Sequence, residues 1–392
     1  MAEFADLFPK LLLLAALLLA ALAAAPLARR IGLPGPAAFL VVGIVAGLTG
    51  IAPTEELSTV TLEQIGAVAL YLILFQGGLA TGFQAWRRSA RPIVLLGLPG
   101  TAATAGVLAV VGHGLLDLEW SLALFVGIAL APTDPAAVYA VLRGHSAETR
   151  ARTVLEGESG FNDPVGISLM VVAVAAVASA DASVADGAVR LVEELGIGLA
   201  GGIVGGVALA LGLRATPRLE EGLQSVAIVA GAILVGAATA SLHGSGFLAV
   251  YLSGLLVADR WAEQDGSHYA VPEALGALAE PVLFGLLGAA FAPLVGGGDV
   301  VRGAALTLAT LFVVRPAVAA ACLAGSGLQR TERVLASWGG LKGAVPLLLA
   351  AYPALEGLDG AETIQAIVLV ATAISIVVQG ATLALVAGRV RA

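Results

Sequence analysis

The sequence predicts an all-α integral membrane protein of about thirteen transmembrane helices, arranged as two inverted six-helix repeats. Composition, hydropathy and the spacing of apolar runs point the same way. The 392-residue chain is 59% hydrophobic and only 12% charged, about half the charged fraction of an ordinary soluble domain. Its mean hydropathy is +0.97. Apolar stretches of roughly bilayer-spanning length, about 20 residues each, follow one another along the whole chain. So much apolar surface cannot all be hidden in a protein core, and lipid must solvate part of it. The 50 glycines fit this reading, because small residues let membrane helices approach closely. The single cysteine, Cys322, excludes an internal disulfide and a cysteine-based metal site. No basic block suggests nucleic acid as a partner.

The candidate spans lie near 9–28, 35–51, 63–82, 92–113, 119–142, 152–179, 188–213, 223–242, 246–259, 274–295, 301–324, 332–353 and 363–388. The first contains the run LLLLAALLLAALAAAPLA. It is long, no basic stretch precedes it and more spans follow, so it reads as a helix rather than a signal peptide. No soluble domain is expected, and residues 1–392 read as one transmembrane domain. Basic residues mark the cytoplasmic side of a membrane protein. With the N-terminus outside, fifteen of the 20 Lys and Arg residues fall in inside loops. Only Lys10, Arg190 and Arg302 fall outside, and Arg315 and Lys342 lie within spans. The outside loops are acidic, as at Glu55, Glu56, Asp181 and Asp186. This alternation predicts a cytoplasmic C-terminus in a cell (plasma or inner) membrane. Thirteen spans divide into six, one and six. The odd spacer inverts one repeat relative to the other, a common transporter plan.

Ionisable residues deep in a span are expensive and usually functional. Asp134, Glu158, Asp163, Arg315 and Lys342 stand out. Glu156 and Glu280 lie nearer predicted ends. Span five reads FVGIALAPTDPAAVYAVL, with Pro132 and Pro135 flanking Thr133 and Asp134. Each proline removes a backbone donor and disturbs the preceding turn, so the helix should open there. Open backbone at that depth is tolerated where it lines a cavity or is buried in protein. A plain proline kink is the simpler reading, and an aspartate at that depth argues against it.

Span six reads RTVLEGESGFNDPVGISLMVV. At 100° per residue, Glu158 and Asn162 share one face and Ser159 and Asp163 the adjacent one. Their oxygens suit a hard monovalent cation. Burial disfavours a charged carboxylate, so one such group can hold either a proton or a cation. Helix capping is the simpler reading and suits Glu156, but Asp163 is too deep for it. Span eleven buries Arg315 beside Pro316. An unpaired buried charge is strongly destabilising, and Glu158 is the first candidate partner. Span twelve, SWGGLKGAVPLLLAAY, carries Lys342 among Gly339, Gly340, Gly343 and Pro346. Spans five and twelve are each fifth in their repeat, and interruptions in corresponding spans point to a transporter's binding site. A base at the second break can offset the half-helix dipole facing it. The alternative from another class is a cation channel or a passive cation-binding membrane subunit. A channel predicts a continuous polar stripe through several spans, which the sequence lacks. Two deep carboxylates would repel an organic anion.

The motifs APTDPAAVYAVLRG, LEGESGFNDPVGI and SWGGLKGAVPLLLA, in that order, resemble the cation/proton antiporter superfamily, in its NhaP-like branch of Na⁺(K⁺)/H⁺ exchangers. ILFQGGL in span three and the AYP end of span twelve are most similar to the cell-volume-regulation type of K⁺/H⁺ antiporter. The resemblance covers essentially the whole chain. It implies broken helices five and twelve crossing at the midplane, and a core domain moving elevator-fashion against a dimerisation domain. It also implies a homodimer that exchanges Na⁺ or K⁺ for H⁺ and is neither an enzyme nor a cofactor protein. By motif, Asp163 would bind the proton and the cation, and Ser159 and Thr133 would add ligands for the transported ion. Asn162 would mark the electroneutral class, and Asp134 would lie with Thr133 at the crossing. Glu158 and Arg315 would form a structural ion pair. Two positions depart from the family pattern: Lys342 stands for an arginine, and Gln76 for the acidic residue before the span-three glycine pair. Relatives of this type also carry a C-terminal cytosolic regulatory domain, and none is expected in this sequence.

Overall fold

The computed structural model describes residues 2–52, 59–134, 149–178, 184–215, 220–261 and 270–389. Pro135 and the second half of span five lie outside the described residues, as do loop residues Glu55, Glu56, Arg143, Asp181 and Arg218. All regular structure among the described residues is helical. Among the described residues nine helices are long and apolar enough to cross a membrane, and four shorter apolar helices lie within predicted spans two, five, nine and twelve. Two of those four, Trp120–Ala129 and Ala344–Leu355, are short because spans five and twelve are broken.

In chain order the helices are α1 (Ala2–Arg30), α2 (Gly35–Leu48), α3 (Thr59–Thr81) and the short α4 (Phe83–Arg88). Next come α5 (Ala90–Leu116), α6 (Trp120–Ala129), α7 (Thr149–Ala178), α8 (Val184–Ala215), α9 (Glu221–Ser241), α10 (Gly246–Trp261) and α11 (Ala270–Phe291). The last four are α12 (Gly297–Cys322), α13 (Arg330–Trp338), α14 (Ala344–Leu355) and α15 (Ala361–Arg389). Two helices swallow a proline by widening one turn. Leu96–Gly100 around Pro99 and Thr310–Val314 ahead of Pro316 are π-helical. A proline has no N–H and its ring crowds the carbonyl four residues back, and a π-turn relieves both.

The helices fall into two packing groups. One contains α1–α3 and α8–α11, and the other α5–α7 and α12–α15. They meet where α3, α8, α10 and α11 face α7 and α14, and where α2 and α11 touch α15. Within the first group α3 and α10 cross at Gly78 and Gly254. A Cβ on either glycine would meet the other helix's backbone, so the crossing needs small residues. The polarity is that of a protein solvated by lipid. Leu12, Leu19, Val192, Val204 and Leu234 face outward, while Glu158, Ser159, Asn162 and Asp163 of α7 are buried.

Candidate functional site

The site begins where α6 stops. Its last turn ends at Leu130, and Pro132 prevents ordinary continuation. Asp134 donates its backbone N–H to the Leu341 carbonyl at 2.8 Å. Leu341 lies in the gap between α13 and α14, so this bond joins the two breaks. Lys342, in the same gap, sends its Nζ back to the carbonyls of Ala131 (3.3 Å) and Pro132 (3.1 Å). These carbonyls lie just past the C-terminus of α6, and a cation there complements the helix dipole.

The second break is stitched by α15. Ser375 Oγ accepts the Lys342 N–H at 3.0 Å and donates to Gln379 Oε1 at 2.6 Å. Gln379 Nε2 then donates to the Trp338 carbonyl at 2.7 Å. Ser375 and Gln379 are one helical turn apart, so one face of α15 satisfies backbone groups on both sides of the gap.

Helix α7 crosses behind the breaks. Asn162 Nδ2 donates to Thr133 Oγ1 at 2.9 Å, and its Oδ1 accepts the Thr133 N–H at 3.3 Å. Ser159 Oγ lies 3.0 Å from the same Thr133 hydroxyl. Asn162 and Ser159 are thus occupied in holding Thr133 in place. Asp163 is only 3% exposed, and its Oδ1 has no hydrogen-bond partner among the described residues. Leaving a buried acceptor unpaired costs about 1–3 kcal/mol, which marks a place for a ligand.

Asp163 borders a cavity of about 20 Å³ together with Thr133, Asp134, Glu280, Ile73 and the Gly343–Pro346 turn. That volume holds about one water-sized occupant, and a dehydrated monovalent cation is of that size. Gly343 has to be glycine for this geometry, because a Cβ there would fall on the Asp134 carboxylate. Among the described residues no three His, Cys, Asp or Glu side chains converge at metal-binding distance. The carboxylates border the cavity without gathering tightly on one point. This suits a weakly held monovalent ion better than a divalent one, which demands several close oxygens.

Glu158 turns away from the cavity. Its carboxylate takes both terminal nitrogens of Arg315, with Nη2 at 2.8 Å from Oε2 and Nη1 closer still to Oε1. Arg315 also donates to the carbonyls of Ala336 (2.8 Å) and Ser337 (3.3 Å) at the end of α13. Glu156 pairs instead with Arg152 one turn away, at 2.7 Å.

Gln76 lies against α11, its side chain filling the space a Cβ on Gly276 would take. It does not line the cavity. Glu280, which sequence position alone puts near a helix end, does line it. Helix α11 starts at Ala270 and has 22 residues, so Glu280 sits halfway along it. Ser375 and Gln379 were also missed. Being uncharged, they give no depth-penalty signal, and polar residues one turn apart in an apolar run are their only mark.

The end of one helix and a gap in another, meeting around a buried carboxylate, define an α-helical membrane protein built on interrupted helices. The chain belongs to the sodium/hydrogen exchanger family, since residues 15–388 match the model of its transmembrane region. It is 33% identical over 367 residues to a K⁺/H⁺ antiporter, NhaP2, of Shewanella sp. strain ANA-3, spanning 91% of this chain and 63% of that one. It is 25% identical over 404 residues to a Na⁺/H⁺ antiporter, NhaH, of Halobacillus aidingensis, spanning 97% of each. The chain thus spans less than two thirds of the length of the potassium antiporters it matches. In fold it is similar to the sodium proton antiporter MjNhaP1 of Methanocaldococcus jannaschii, with a TM-score of 0.82, 22% identity and 98% of this chain covered.

Proposed function

We propose that this protein exchanges a monovalent cation, Na⁺ or K⁺, for a proton across a cell membrane, without a cofactor. The observation that carries the reading is Asp163, whose buried Oδ1 has no partner among the described residues and whose side chain borders a cavity the size of one ion. A carboxylate so placed takes a proton or a cation, and each load excludes the other. That exclusion couples the two fluxes without any other energy source. Thr133, held in place by Ser159 and Asn162, adds an oxygen at the cavity, and Asp134 adds charge beside it. Asn162 is committed to Thr133 and neutral, so Asp163 is the one exchanging carboxylate on α7. This supports electroneutral, one-for-one exchange. The fold class supports alternating access, with the α5–α7 and α12–α15 group sliding past the other in an elevator-like movement. The family resemblance supports a homodimer, and the distribution of Lys and Arg between loops supports an N-terminus outside.

The test uses proteoliposomes loaded with a pH-sensitive dye. Adding Na⁺ or K⁺ outside acid-loaded vesicles should release protons. Asp163→Ala should abolish that release, and exchange at the wild-type rate by this variant would sink the assignment. Rates should also be equal with and without an imposed membrane voltage, and clear voltage dependence would contradict one-for-one exchange.

A further inference from the structure

We propose that Glu280 is a hand-over carboxylate, holding the monovalent cation on the stationary side of the boundary between the two helix groups. This deepens the reading of the Asp163 cavity and rests on it. Glu280 stands halfway along α11, which packs with α2 and α3. Its group is therefore the opposite one from that of Asp163 on α7. Yet both residues border the same cavity of about 20 Å³. Among the described residues Glu280 makes no ion pair. The two deep bases are engaged elsewhere: Arg315 holds Glu158 and the end of α13, and Lys342 Nζ holds the Ala131 and Pro132 carbonyls. What faces Glu280 across the cavity is Asp134, Asp163 and the Thr133 hydroxyl, beside the Gly343–Pro346 turn. Carboxylates that share a small, weakly hydrated cavity repel one another unless a proton or a cation lies among them. A cation is the occupant that turns this repulsion into attraction.

The neighbouring packing explains why the acid comes from α11. Gln76 of α3 is neutral and is pressed against Gly276, one turn before Glu280. Helix α3 therefore offers the cavity Ile73 and no charge, while α11 offers Glu280. Because Glu280 belongs to the opposing helix group, its carboxylate can help hold the ion only in conformations that keep the two groups in this register. When the groups slide, Asp163 travels with the ion and Glu280 stays behind. Removing the charge should weaken cation uptake from one face of the membrane only.

The experiment measures the KM for K⁺ and for Na⁺ in right-side-out and in everted vesicles, using proton flux as readout. Glu280→Gln keeps the shape and removes the charge. It should raise KM about ten-fold or more on one face, with KM on the other face within two-fold. Glu280→Asp keeps the charge but withdraws it by one methylene, and should raise KM on the same face by a smaller factor. It also serves as the second variant if the glutamine form does not fold. Unchanged KM on both faces, with Asp163→Ala inactive, overturns the role of Glu280 while the Asp163 site stands. An equal KM shift on both faces overturns the one-sided hand-over. Full exchange by Asp163→Ala overturns the site itself, and with it the hand-over.

Discussion

Replacing Arg315 by methionine removes the most heavily engaged buried cation among the described residues. Its guanidinium serves Glu158 twice and the Ala336 and Ser337 carbonyls once each. The change leaves a carboxylate that is 1% exposed without its counter-charge, and such uncompensated burial costs about 3–5 kcal/mol. The orphaned carbonyls add about 1 kcal/mol or more where water cannot reach them. A net loss of about 4 kcal/mol is expected, and at about 2 °C per kcal/mol for a long chain it lowers Tm by roughly 8 °C. Purified protein in detergent, followed by thermal unfolding, gives the number. The double variant Arg315→Met with Glu158→Gln removes both charges at similar volume. It should recover about half the loss, since replacing both members of a buried pair is often close to neutral. With Glu158→Gln alone costing a similar amount of about 4 kcal/mol, the coupling energy from this cycle should be about 6 kcal/mol, larger than for most contacting residues because both partners are buried. A coupling near zero, or a single variant within about 1 kcal/mol of wild type, would refute the claim that the pair holds α7, α12 and α13 together.

Lys342→Met strands the Ala131 and Pro132 carbonyls. Loss of about 2–4 kcal/mol is expected at about 1–3 kcal/mol per unpaired buried group, with Lys342→Arg recovering most of it in the same unfolding assay. Gly343→Ala places a methyl group on the Asp134 carboxylate. Cation KM should rise about ten-fold, a change worth about 1.4 kcal/mol, in the proton-release assay, while Tm stays within a few degrees because the Arg315 cluster is untouched.

Some features were legible because their physical cost is local. Long apolar runs announce helices wherever lipid is the solvent. Pro132 and the Gly339–Gly340 pair announce breaks, because each spoils a helix in its own neighbourhood. The Glu158–Arg315 pair could be read across 157 residues, since a buried arginine has to find an anion. What could not be read depends on which distant surfaces meet. Nothing local says that the Asp134 amide finds the Leu341 carbonyl, or that α15 stitches the second gap. Glu280 looks shallow in the sequence because the apolar run begins only near 274, four residues later than the helix start at Ala270. Nothing in the sequence shows Gln76 pressed on Gly276 either, because that contact depends on how α3 and α11 are rotated.

The stitching of the second gap by Ser375 and Gln379 also bears on where the working unit of this chain ends. Helix α15 contributes no wall to the cavity, yet it supplies the partners of the Lys342 N–H and the Trp338 carbonyl. Further along, Thr382 Oγ1 accepts the Trp338 indole N–H at 3.0 Å. A shortened chain ending before Ser375 would keep every lining residue and still lose the geometry they depend on. The stretch on which the geometry of the second gap rests therefore extends at least through Gln379, well past the last residue that borders the cavity.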